Sequence, residues 1–404
     1  KLRSAKREAL RNSSCIQVGR LELNEAIKAL EKIVGQETVE VSDLLNETNS
    51  SLVLGISGKW YECDLNLGLV GIFETIDDFE KAKKAYQEAD MSPDYLSMMN
   101  EPDGDNSAGT KIRLGYGIDD SQKANYGKAL EATYEAFKEV SDRPKLIGPE
   151  VLGIGTFSNY YRDLNPDLLD AAAFHCYHGG KTSDYKDNDR YSSAHAFKTE
   201  FQNIARQVGN KSIMMTENCS YHPSVPEDAV NIAHFISNSF RYANATVYLH
   251  WALLWGYADA DELKKGGDGC IAVEWPWSSS RWTTEKGYVV RSEFYGLKHF
   301  TKYVKPGWRR IGVDYELKKV EVVAFQDPDE YQIAVVLVNY SEQEEKTVRL
   351  KNIGSKEVSS IRKVIQTDTQ KESWYQELKN TDPFVELVLP KMSVTTVYFK
   401  FKTN

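Results

Sequence analysis

Two glutamates carry the clearest chemistry. Glu101 closes the run Tyr95-Leu-Ser-Met-Met-Asn-Glu101, and Glu217 closes Ser212-Ile-Met-Met-Thr-Glu217. In both, an apolar stretch ends abruptly in a carboxylate, and the Met pairs inside read as core filler. Two carboxyls facing each other across a cleft can divide the work of cleaving a glycosidic bond. One stays protonated and assists the leaving oxygen; the other is ionised and attacks the anomeric carbon or activates water. Burial and mutual repulsion separate the two pKa values. Either glutamate alone reads more readily as a surface acid or a helix-cap neighbour. The matched pair is what favours function. Trp60, Glu150, His175 with Tyr177, and His250-Trp251 close other apolar runs. Acids mixed with indole and phenol faces suit a sugar, which offers hydroxyls to the acids and C–H faces to the rings. His175 alone reads as a satisfied core histidine, and Glu150 as a structural acid. Trp251 and Trp255 fit core packing as well as a sugar platform. Cys219 follows Glu217 by two residues with no base beside it, so a cysteine nucleophile is set aside.

These side chains need elements that bring their ends together. Strand-like runs occur at 15–23, 52–60, 94–101, 145–151, 171–177, 212–217 and 246–254, with helical patterns between them. That alternation predicts βαβ units and a parallel sheet. No Gly-rich fingerprint follows any of the runs, so a dinucleotide or nucleotide-phosphate site has no support. The expected class is α/β: a (β/α)8 TIM barrel, whose active site lies at the C-terminal strand ends. Glu101 and Glu217, three strands apart in this count, then face each other across one cleft. From residue 309 the helical period disappears and strand–turn–strand patterns follow, with turn chemistry at Asp327-Pro328-Asp329. The expected domains are a catalytic barrel over 1–308 and a C-terminal antiparallel β-sandwich side domain over 309–404.

Composition bounds the rest. The 404 residues are 41% apolar and 11% aromatic, enough for a large core. A net charge of −9 argues against a nucleic-acid surface. The basic opening KLRSAKREALR lacks a signal-peptide core and reads as an exposed helix. No apolar run is long enough to span a membrane. Five cysteines show no metal or redox spacing, and no cofactor motif occurs. Seven N-x-S/T sequons, at Asn12, Asn46, Asn49, Asn210, Asn218, Asn244 and Asn339, favour a secreted glycoprotein.

The motifs also resemble a known family. NEPDG at 100–104 and TEN at 216–218 resemble the acid/base and nucleophile motifs of clan A retaining β-glycosidases. The tail is more specific. YGLKHFTKYVKPGWRRIGVDYE at 295–316, followed by VEVVAFQDPDEYQIAVVLVN at 320–339, is similar to the segment where the barrel of glycoside hydrolase family 30 passes into its side domain. KLIGPEVLG, FHCYHGG and YLHWALLW resemble that family's strands five, six and eight, so the likeness covers residues 52–400. It implies Glu101 as acid/base and Glu217 as nucleophile. It further implies Asn100 on the sugar 2-hydroxyl, Tyr177 holding the nucleophile ionised, His175 beside the sugar, and Trp60 and Trp251 lining the pocket. Retention of configuration implies carboxyls roughly 5–5.5 Å apart. The family's first barrel strand has no evident counterpart after Lys1: it lies upstream, or the N-terminal region diverges from the family's pattern. Its strand-three Trp is followed by prolines, where this chain has Trp60-Tyr61-Glu62-Cys63.

The resemblance implies a polysaccharide or oligosaccharide substrate and no cofactor. The loop 256–293 holds Trp275, Trp277, Trp282, Arg281 and Arg291. Tryptophans in a loop favour stacking on a polymer, and Trp282 and Arg281 are the expected contacts. Glucuronoxylan-cutting members place a basic residue where Glu293 aligns, with Arg281 or Arg291 as a substitute. A xylan-type hemicellulose is favoured. A β-1,6-glucan, a β-1,6-galactan or glucosylceramide are the alternatives, and a carbohydrate-binding relative without turnover is a third reading.

Overall fold

The computed structural model describes residues 51–56, 59–64, 68–70, 94–104, 114–117, 124–141, 143–178, 197–219, 226–261, 269–274, 287–351, 358–370, 374–379 and 381–401. The expected strand at 15–23 and the N-terminal helix lie outside them. The described residues fall into two compact units. One runs through residue 178 and adds 206–218; the other holds 197–205, 219–274 and 287–401.

The first unit is built on parallel strands. Tyr95–Ser97, Lys145–Gly153, Ala171–His178 and Ser212–Glu217 pair in that order, all parallel. Their sequences are near-continuous apolar runs because both faces of a parallel sheet are covered. Ala171 through Tyr177 are all buried, and Phe157, on the helix Phe157–Asp163, sets its ring 5.9 Å from Phe174. The helix Tyr126–Phe137 starts at Asn125, whose side chain accepts the Lys128 N–H at 2.8 Å.

Two expected strands differ. The run 52–60 is an antiparallel hairpin: Ser51–Ile56 pairs with Lys59–Asp64, which pairs with Gly68–Val70. Ser57-Gly58, a pair of turn formers, splits that run in the sequence. The run 246–254 gives only the short strand Val247–Tyr248. Its later carbonyls are taken by an incoming chain, with Cys270 N–H donating to Ala252 O at 2.8 Å and Ile271 N–H to Leu253 O at 2.9 Å. A separate strand, Leu254–Tyr257, then pairs in parallel with Ile271–Glu274.

The second unit carries the antiparallel sheet. Its strand order is Arg309–Ile311, Val320–Gln326, Gln332–Asn339, Ser393–Phe401, Val358–Thr367 and Gln376–Glu377. Strand alternation sends Val320, Val322 and Ala324 to one face, where Val348, Leu387 and Leu389 of a small second sheet cover them. Val323 and Phe325 face the other way, onto Ile232 and Ile236 of the helix Asp228–Tyr242 and onto Phe300. The C-terminal region is therefore the expected antiparallel assembly, and helices cover its second face. Helix Ser292–Thr301 approaches Asp228–Tyr242 through Gly296, where a Cβ would lie 2.2 Å from the Ala229 carbonyl oxygen. Only glycine fits that crossing. Two sequons fall in the core. Asn339 is buried and donates to the carbonyls of Glu344, Leu389 and Pro390, and Asn218 is buried against the Cys176 carbonyl. Asn210 and Asn244 are exposed.

Candidate active site

The expected pair meets at the C-terminal ends of the parallel strands. Glu217 is the last residue of Ser212–Glu217. Glu101 lies four residues beyond Tyr95–Ser97, a strand shorter than the sequence suggests. Its position is set by backbone rather than by strand. Glu101 has φ +48°, in the left-handed region that non-glycine residues rarely occupy, and its N–H donates to Glu150 O at 2.9 Å. The turn is then clamped from below. Asp103 accepts from Leu152 N–H at 2.7 Å, Gly153 N–H at 3.1 Å and the Thr156 hydroxyl at 2.5 Å. NEPDG is thus a turn bolted to the end of the neighbouring strand.

Between the two glutamates sits His175. Its Nδ1 lies 2.9 Å from Glu101 Oε1 and 3.8 Å from Glu217 Oε2, and its Nε2 lies 3.4 Å from Glu150 Oε2. Donor atoms of Glu101, His175 and Glu217 all lie within 4.8 Å of one another. Both ring nitrogens thus face carboxylates, three of them around one imidazole. Tyr177 donates to Glu217 Oε1 at 2.7 Å, the partner the resemblance implies. Thr216 donates to Glu150 Oε1 at 2.5 Å. Glu150 also has a left-handed backbone, with φ +58°. Two such residues at one site mark stored strain held by the surrounding bonds.

The electrostatics follow from burial and charge. Burial pulls the His175 imidazole down, but the Glu217 charge and the bonds to Glu101 and Glu150 outweigh it and hold the ring well above its ordinary value. Burial pushes Glu217 up to about 7, reinforced by Glu101 and Glu150 and opposed by the His175 cation and the Tyr177 hydroxyl. The upward push thus falls on Glu217, the carboxyl the resemblance expects to be held ionised.

The remaining expected residues are placed as follows. Asn100 is half-buried, one residue before Glu101. Trp60 sits within the hairpin opposite Gly55, rather than at the mouth of a parallel strand. Trp251 belongs to the second unit, with its ring 5.9 Å from Trp255. Arg281 and Trp282 lie outside the described residues. Arg291 does not serve as a substrate cation. It is buried, pairs with Glu293 at 2.7 Å and donates to the Gly269 carbonyl at 2.9 Å. Sequence reasoning undervalued Glu150 and missed Asp103. The available signal was that Glu150 also closes an apolar run and that Asp103 sits inside the NEPDG motif itself.

The fold matches that of family 30 glycoside hydrolases. The catalytic domain of GH30 xylanase C from Talaromyces cellulolyticus superposes with a TM-score of 0.56 at 14% identity, over 81% of this chain and 66% of that one. A conserved exported protein from Bacteroides fragilis gives 0.54 at 18% identity, over 80% and 70%. A GH30 endoxylanase from Clostridium papyrosolvens C71 gives 0.50 at 15%, over 87% and 76%. At these identities the likeness is one of fold. No family model matches the sequence, and no curated protein does.

Proposed function

We propose that the chain is a secreted, retaining β-glycoside hydrolase that cleaves a β-linked polysaccharide, a xylan-type hemicellulose foremost. Its frame would be a (β/α)8 barrel over 1–308 with a β-sandwich side domain over 309–404. The observation that carries the reading is the paired carboxyls of Glu101 and Glu217, with oxygens within 4.8 Å across His175. That spacing suits direct attack on the anomeric carbon; an inverting pair stands roughly 6.5–9.5 Å apart to admit a water. Shared fold with xylanases supports the substrate class. In this reading Glu217 attacks the anomeric carbon while Glu101 protonates the departing oxygen. Glu101 then takes a proton from the water that releases the sugar. Asn100 and Trp251 would contact the sugar, and Trp282 and Arg281 the polymer beyond it.

The test uses xylan, β-1,6-glucan, β-1,6-galactan, glucosylceramide and aryl β-glycosides. Glu217→Ala should lose at least about a thousandfold in turnover on every active substrate. Glu101→Ala should lose as much on xylan yet keep activity on aryl glycosides with good leaving groups, which need no acid. Because Glu217 must be ionised to attack and stands at about 7, wild-type turnover should fall as pH drops below that value. Full activity of either variant on the polysaccharide that wild type cleaves removes the assignment, and binding without turnover on the whole panel supports the carbohydrate-binding alternative.

A further inference from the structure

Glu150 reaches the Glu101 backbone, His175 and the residue before Glu217 while offering little to a substrate. Its side chain is 9% exposed, against 21% for Glu101 and 18% for Glu217. Its carbonyl holds the Glu101 N–H, its Oε1 takes the hydroxyl of Thr216 beside the nucleophile, and its Oε2 faces His175 Nε2. His175, 1% exposed, sees Glu101 from the NEPDG turn, Glu150 from Lys145–Gly153 and Glu217 from Ser212–Glu217. Tyr177 lies edge-on to it from its own strand, with ring centroids 6.1 Å apart. Tyr126 is the further titratable group that feels the Glu150 charge, and its phenol is pushed upward mainly by burial. Burying a third carboxylate here is costly unless a cation answers it. For packing alone, an apolar or amide side chain would serve better.

Resting on the glycosidase reading, we propose that Glu150 is a positioning residue that keeps a proton stored between His175 Nδ1 and Glu101 Oε1, ready for the leaving group. With Glu150 fixing the Nε2–H, one proton is shared along the 2.9 Å contact. It sits either on Glu101, with a neutral ring, or on His175, with an ionised Glu101; the proton count is the same. As the glycosidic C–O bond breaks and the Glu217 oxygen bonds to the anomeric carbon, that proton passes from Glu101 to the departing oxygen. When water attacks the glycosyl-enzyme, its proton returns to Glu101 and refills the pair. The Glu150 charge raises the affinity of the pair for this proton, so the acid stays loaded at higher pH.

The experiment compares wild type with Glu150→Gln, an isostere that still accepts from Thr216 but carries no charge. Two readouts are needed: the pH profile of kcat/KM on xylan, and the protonation midpoint of His175 by nitrogen-15 NMR. The descending limb and the His175 midpoint should both move towards acid by about one unit or more. A purely structural Glu150 would lower the rate evenly at all pH values and leave both midpoints in place, and that result overturns the proposal. If Glu150→Gln does not fold, Thr216→Val, which frees the Glu150 carboxylate from its orienting hydroxyl, should give the same shifts at smaller size, and their absence is equally decisive. Should wild type hydrolyse nothing, the glycosidase reading fails by itself. The NMR midpoint still decides whether Glu150 controls the proton on His175.

Discussion

His175 and His299 are equally buried, at 1% and 0% exposure, yet their surroundings shift the two rings in opposite directions. His299 lies between the Thr396 and Thr367 hydroxyls, each 2.8 Å from a ring nitrogen. Burial, with a contribution from Lys298, lowers it to about 3, so it stays neutral. His175 meets three carboxylates and is held well above its ordinary value. Burial acts in the same direction on both, so the neighbours decide the sign. At His299 the ring is satisfied by neutral partners, a hydroxyl on each nitrogen. At the candidate site, charges are gathered that only partly cancel, the arrangement expected where protons are moved.

Removing the ring should expose this difference most strongly at His175. His175→Ala leaves three carboxylates with no cation among them. Losing one partner of a buried ionic group typically costs about 3–5 kcal/mol. Urea denaturation at neutral pH should show a loss of that size, and turnover should fall by at least about a hundredfold. A loss below about 1 kcal/mol would mean that water already compensates the charges.

The second comparison is in pH. His299 is neutral when folded and titrates near 6.5 when unfolded, so above that pH it adds nothing. As pH falls from 6.5 towards about 3, the unfolded chain takes up a proton that the native site refuses, and stability drops. His175 runs the other way. Its contribution is fully present below 6.5 and is lost only as pH rises through its raised native value. His299→Gln keeps a donor and an acceptor for the two threonines but cannot titrate. Relative to wild type it should gain roughly 3 kcal/mol between pH 7 and pH 4. His250, also lowered to about 3, is present in both proteins and cancels in the comparison. An unchanged slope between the two proteins would show that His299 is protonated in the native state.

Much of this contrast was legible in advance. The apolar runs ending in Glu101 and Glu217 point to the candidate site because a strand end is where a buried segment meets the solvent; Glu150 and His175 close similar runs but read as structural. Alternation in 320–339 gives the antiparallel domain. The failures have local causes. Antiparallel pairing of Ser51–Ile56 with Lys59–Asp64 made one apparent strand into a hairpin, and backbone partners 18 residues away, at Cys270 and Ile271, ended the run at 246–254. Backbone pairing of this kind spans sequence distances that periodicity does not see. Arg291 could be misread as a substrate cation for a different reason: its Glu293 partner lies two residues away, but the burial that makes the two a closed pair does not show in the sequence.

The smallest expected effect separates geometry from charge inside the site. Asp103 and Asn339 do the same task in the two regions, each tying a turn to neighbouring backbone. Asn339 does so with a neutral amide on three carbonyls, Asp103 with a carboxylate on two N–H groups and a hydroxyl. Charge-assisted bonds are stronger than neutral ones, and the amide of Asp103→Asn can replace only one accepting oxygen. The expected loss of stability is about 1–2 kcal/mol, measured by urea denaturation. Turnover should fall several-fold because the Glu101 turn loosens, while both pH limbs stay where they are, since Asp103 bonds to backbone and Thr156 rather than to His175. A shifted limb in Asp103→Asn would mean that the clamp tunes the proton as well as the position, and the division of labour between Asp103 and Glu150 would be lost.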